Sequence, residues 1–150
     1  MAEVAVSAVV EQLARFRGNV LVAGMLRRRG LPLGLARLEL DARARLVDLD
    51  RPEVLIGEGL RPSVVATRRR DLTQPQALGP HEGGADGIRW WSTFESLWLN
   101  LTLFERAAAR LRLGDVQELA PGHPAVREAL DLLGIAPATR TGLRTPPAGW

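Results

Sequence analysis

Cysteine is absent from this 150-residue chain. Disulfide bridges and thiolate zinc sites are therefore excluded. Histidine occurs only as His81 and His123, so a metal site would have to lean on carboxylates, and none is expected. Lysine is also missing. All 20 basic residues are arginine, a bias that fits the codon usage of a GC-rich genome, as does the wealth of Ala, Gly, Pro and Leu. Long apolar runs are lacking too. The strongest, Leu97 to Phe104, is far too short to span a bilayer and carries Asn100 and Thr102. At the amino end Glu3 and Glu11 interrupt the apolar residues and no cationic segment precedes them, which argues against a secretory signal. The expectation is a cytoplasmic protein with no membrane partner.

The formal charge is +3, yet 17 acidic residues are interspersed with the arginines. A nucleic-acid footprint would concentrate its charge on one face. The only runs, Arg27-Arg28-Arg29 and Arg68-Arg69-Arg70, are short and read as solvated surface, so no direct nucleic-acid binding is expected.

Along the chain, Val6, Val9, Val10, Leu13 and Phe16 recur at helical spacing and predict a helix over 4–17, stopped by Gly18-Asn19. Residues 20–29 fit either strand or helix. Strands are predicted at 35–40 and 45–49, and a short helix at 52–56 closed by Gly57. Residues 61–86, rich in Pro, Gly, Arg and Gln, predict an irregular segment with a helical turn or two near 74–78. Two strands follow, over 86–92 and 97–104, then one at 110–113 ending at Gly114-Asp115. A helix is predicted over 124–133, with Pro124 at its start and Gly134 at its end. Residues 1–135 form one domain and 136–150 a loose tail. Short strands with scattered helices define an α+β fold.

The candidate chemistry gathers around Asp86-Gly87-Ile88-Arg89-Trp90-Trp91-Ser92. Three of the four tryptophans fall within nine residues, at 90, 91 and 98. Such a cluster makes either a core corner or a wall that stacks a flat ligand. Alternation along a strand sends Trp90 and Trp91 to opposite sides. Ser92-Thr93-Phe94-Glu95 also fits a capping box, in which the hydroxyl only closes a turn. Asn100, among apolar neighbours, requires a hydrogen-bond partner from backbone or ligand. Spacing alone makes Glu11 a solvated residue paired with Arg15 one turn on. Gly83-Gly84-Ala85-Asp86-Gly87 offers a weak phosphate-cradle signal. Neither histidine has a serine partner suited to a hydrolytic triad.

Taken in order, these elements resemble the RES-domain family, named for its Arg, Glu and Ser. Asp86-Gly87-Ile88-Arg89-Trp90-Trp91-Ser92 matches the family's D-G-[ILV]-R-[YW]-x-S element. Asn100-Leu101-Thr102-Leu103-Phe104 matches its N-x-x-L-F element. Leu38-Glu39-Leu40 with Leu46-Val47-Asp48-Leu49 resembles its paired strands, and Ser7-Ala8-Val9-Val10-Glu11 the helix of the family glutamate. The similarity runs from about residue 5 to 113. It implies an ADP-ribosyltransferase-like fold with a mixed sheet and flanking helices. It also implies NAD⁺ as substrate, consumed by hydrolysis, phosphorolysis or ADP-ribosyl transfer, and the role of toxin beside a helix-turn-helix antitoxin, with self-association left open. By match, Glu11 and Ser92 are the catalytic pair, and Trp90, Trp91 and Asn100 line the dinucleotide site.

The family's arginine and its companion tyrosine lie on strands ahead of the glutamate. Here ten residues precede Glu11, none of them arginine, and the chain has no tyrosine. An amino-terminally shortened RES domain is therefore expected. The alternative function is an inactive remnant that only binds a partner.

Overall fold

The computed structural model describes residues 1–137, and the fold is α+β. Its centre is a mixed sheet. Strand β4 (Leu46–Asp48) runs parallel to β5 (Gly87–Trp91), and β5 runs antiparallel to β6 (Leu99–Leu103). Residues 1–3 extend along the far side of β6. The Met1 amino group donates to the Leu101 carbonyl, Leu101 N–H donates to the Met1 carbonyl, and Glu3 N–H donates to the Leu99 carbonyl. A parallel pair needs a long crossover, and residues 49–86 supply it. They hold α2 (Pro52–Gly57), α3 (Pro62–Val65) and α4 (Arg70–Glu82). Leu49, Leu55, Val65 and Ile88 form the core of this half, with Trp90, Trp91, Ala77 and Phe104 packed on it.

A second core is helical. Helix α1 (Ala5–Leu13) packs on α5 (Pro124–Leu133). Val9, Leu13 and Val126 are almost wholly buried, each contributing about 1.5–3 kcal/mol of transfer free energy. Gly134 ends α5 in the left-handed conformation at φ 62°, as that turn requires. A short hairpin, β1 (Arg27–Arg28) with β2 (Leu31–Pro32), turns through Arg29 and Gly30, both at positive φ. It leads into an antiparallel ribbon of β3 (Gly34–Leu40) and β7 (Leu111–Glu118).

The helices at both ends and the strands at 35–40, 45–49, 86–92 and 97–104 fall where periodicity places them. Residues 20–29 become a 3-10 turn over Ala23–Leu26 and then β1. Two expectations need correction. Residues 61–86 are mainly helical, because α4 continues through Pro75 and Pro80. Each proline removes an amide donor at a cost of about 3 kcal/mol. Burial of Pro80 and a bond from the Gln76 amide to the Val64 carbonyl help hold the segment. The strand at 110–113 does not end at Gly114 but runs to Glu118. The register shifts between Ala36 and Leu38, and Gly114 sits against the Arg37 backbone there, where a Cβ would lie 3.3 Å from its carbonyl oxygen. Residue 136 pairs with Val20; the rest of the expected tail lies outside the described residues.

The motif around Gly87 explains itself physically. Asp86, buried, accepts from Arg45 N–H at 2.7 Å and pairs with Arg110 at 3.3 Å. Gly87 lets β5 approach β6 so closely that a Cβ would lie 2.5 Å from the Thr102 carbonyl oxygen and 2.8 Å from Leu103 Cδ2. Arg89 bridges Glu3 at 2.7 Å and Asp48 at 2.8 Å. Its hydrogen bond to Glu3, then that to Asp48, holds its pKa above the ordinary arginine value, against the effect of burial. Gly87→Ala is expected to destabilise the protein by about 1–3 kcal/mol through overpacking, measured as a lower denaturant midpoint at unchanged slope. An unchanged midpoint would contradict the close approach.

Candidate functional site

Glu11 and Ser92 are 81 positions apart in the chain and meet in the fold. Ser92 Oγ donates to Glu11 Oε1 at 3.2 Å. Two local reasons bring them together. The apolar face of α1 is drawn into the helical core, which turns the adjoining Glu11 inward until it is half-buried. Strand β5 ends at Trp91, and the tight 92–98 loop starts with Ser92 N–H on the Trp98 carbonyl at 2.7 Å. The hydroxyl therefore lies under the loop, 3% exposed.

Ser92 Oγ makes two contacts at once. Its oxygen accepts from Phe94 N–H at 3.2 Å and so closes the turn, while its proton is directed to Glu11. The reciprocal half of a capping box does not form, because Glu95 accepts from Leu97 N–H and Ser96 instead. Glu11 is not the solvated partner of Arg15 that spacing suggested. Arg15 lies over the Phe16 ring, 4.7 Å from its centroid. Glu11 Oε2 makes no hydrogen bond among the described residues, so the carboxylate keeps a lone-pair face available. The Met1 amino group is close enough to feel Glu11. Burial lowers its pKa, and the carboxylate acts against that.

Two further polar groups belong to this region. Ser7 lies one helical turn before Glu11 on the same side of α1, is wholly buried, and its Oγ has no partner. The i, i+4 relation to Glu11 was the signal that could have found it. Arg68 stands with its guanidinium carbon 5.9 Å from the ring centre of Phe94, two residues beyond Ser92. It makes no ion pair among the described residues. Nothing in its sequence neighbourhood pointed there.

Trp90, unlike Trp91, lines a hollow beside α4. Both pack on the sheet-side core, and Trp90 Nε1 donates to Thr102 Oγ1 at 3.0 Å. Trp98 packs instead on the helical core. Asn100 is 5% exposed, pairs with Trp90 on β5 and bridges to Ala2 through backbone. No hydrogen bond among the described residues engages its side-chain amide. Ser7 Oγ is the one fully occluded side-chain polar atom without a partner among those residues, so the Asn100 amide keeps a little accessible surface.

The phosphate-cradle expectation fails. The N–H groups of Gly83, Gly84, Ala85 and Asp86 are bonded to the carbonyls of Gly79, His81, Pro80 and Arg45. Both histidines are structural. His81 meets Phe104 edge-on at 5.0 Å, and His123 caps α5 by accepting from Ala125 N–H. No cluster of three metal-ligating side chains occurs among the described residues, and no helix there is long and apolar enough to cross a membrane. Compared with protein-family models, curated proteins and solved structures, the chain matches none.

Ser92→Ala should destabilise the fold by about 1–2 kcal/mol, since Phe94 N–H and Glu11 both lose a partner. The double variant with Glu11→Ala should cost less than the sum of the singles, by about 0.5–1.5 kcal/mol. Strict additivity in denaturant titrations would show that the two side chains do not interact.

Proposed function

We propose that this chain is a RES-type domain that cleaves the nicotinamide–ribose bond of NAD⁺, releasing nicotinamide and passing the ADP-ribosyl group to water, phosphate or a protein nucleophile, and that it acts in the cytoplasm as the toxin of an antitoxin pair. The observation that carries the reading is the Glu11–Ser92 contact. The two residues that the resemblance assigns to chemistry sit 81 positions apart and share a hydrogen bond. Breaking a glycosidic bond to a cationic leaving group develops positive charge at the anomeric carbon. A carboxylate held close, with one oxygen uncommitted, stabilises that charge or holds a ribose hydroxyl. Ser92 supports this by orienting Glu11. Its own oxygen is fixed by Phe94 N–H, so it acts as a rigid donor.

The reading also needs a cation for the pyrophosphate. Arg68 fits by type, because a guanidinium fork matches phosphate oxygens and this one has no carboxylate partner among the described residues. Asn100 supplies an amide with free hydrogen-bonding capacity. Trp90 and Trp91 contribute indirectly, by fixing the strand that ends in Ser92.

A second reading, a module that only binds a partner such as the antitoxin or another copy, is favoured by the ribbon. Seven of the eight residues of β7 are exposed, including Leu113 at 67% and Val116 at 58%. Unpaired apolar strand edges invite pairing.

Incubation of purified protein with NAD⁺, followed by release of nicotinamide, separates the two. Turnover is expected, falling about 10²–10³-fold in Glu11→Gln, the range found when a key electrostatic group is removed. Arg68→Ala should mainly raise KM. Absence of turnover in a folded preparation would favour the binding module. Turnover indifferent to Glu11→Gln would remove Glu11 from the chemistry.

A further inference from the structure

A hollow of about 210 Å³ lies between α4, the α3–α4 turn and the sheet strands β5 and β6. Neither Glu11 nor Ser92 lines it. We propose that it is a separate binding site for a small uncharged molecule carrying one ring and a hydroxyl group.

Size limits the occupant first. Sites for drug-sized ligands run from about 300 Å³ upward, so this one suits a single ring with a short substituent. Charge limits it next. None of the ten lining residues is ionisable, and an ion moved there from water would find no opposite charge. Shape comes from Trp90. Its Nε1–H is tied to Thr102 Oγ1 at 3.0 Å, so the indole is held as a fixed flat wall beside Ile88.

The polar groups then select a hydroxyl. Thr102 Oγ1 accepts from Trp90 and retains its own proton to donate. Thr67 Oγ1 accepts from Arg69 N–H and likewise keeps its proton. Gln76 uses Nε2 on the Val64 carbonyl, which leaves Oε1 as an acceptor. Residues with protons to donate and one with an acceptor to spare thus line one small space. A hydroxyl both gives and takes a hydrogen bond, and so answers both. Ala77, a small residue on α4, leaves the room.

The probe is benzyl alcohol, with benzoate and benzylamine as charged analogues of similar size. Binding is followed on the Trp90 indole N–H resonance of labelled protein. A saturable shift with benzyl alcohol is expected, with Kd at least about tenfold below those of the two ions. Ala77→Leu fills the space and should weaken binding about tenfold or more. Thr102→Val keeps the volume, removes the hydroxyl and should weaken it as well, which keeps the test decisive if the leucine variant does not fold. Glu11→Gln should leave the affinity unchanged, so this site and the NAD⁺ reading stand or fall separately. No saturable shift, equal affinity for the ions, or undiminished binding to the folded variants would overturn the proposal.

Discussion

Ser92 stands where the two cores of the molecule join. Upstream, β5 is locked into the sheet. Downstream, Phe94 and Trp98 pack on the helical core. The Ser92 side chain spans the boundary by bonding Glu11 on α1. A carboxylate and a hydroxyl brought together at a seam between two packed units meet in a setting less watery than the surface and less sealed than an interior. Electrostatic interactions there are stronger than in bulk solvent.

The Asp86–Ser92 stretch concentrates the constraints that make this seam reproducible. Asp86 ties the strand entrance to Arg45 and Arg110. Gly87 allows close strand approach, and Arg89 fastens β5 to β4 through Asp48 and to the first residues through Glu3. Trp90 fixes β5 against β6 through Thr102. This stretch therefore carries mostly positioning work. A motif match there speaks to architecture first and to reactivity second.

Much of the architecture was legible in the sequence. Val6, Val9, Val10 and Leu13 announced α1, and Pro124 with Gly134 bracketed α5, because amphipathic spacing and end signals are local properties. Helix α4 was not legible, since Pro75 and Pro80 argue locally against it and only tertiary packing overrides them. Gly114 read as a stop because its role, closeness to Arg37 at a bulge, depends on the partner strand. The pairing of Glu11 with Ser92 followed from family resemblance, not from spacing, which placed Glu11 in solvent. Arg68 near Phe94 had no local signature at all.

The prolines of α4 have a consequence for how the molecule moves. With no amide hydrogen at 75 or 80, the carbonyls of Asp71 and Gln76 lack their usual donors one turn on. Only Pro80 of this helix is buried. A helix that lacks two of its internal bonds is thus the outer wall of the Trp90 hollow. Local opening of that wall costs less free energy than parting paired strands, so α4 is the side of the hollow that yields first.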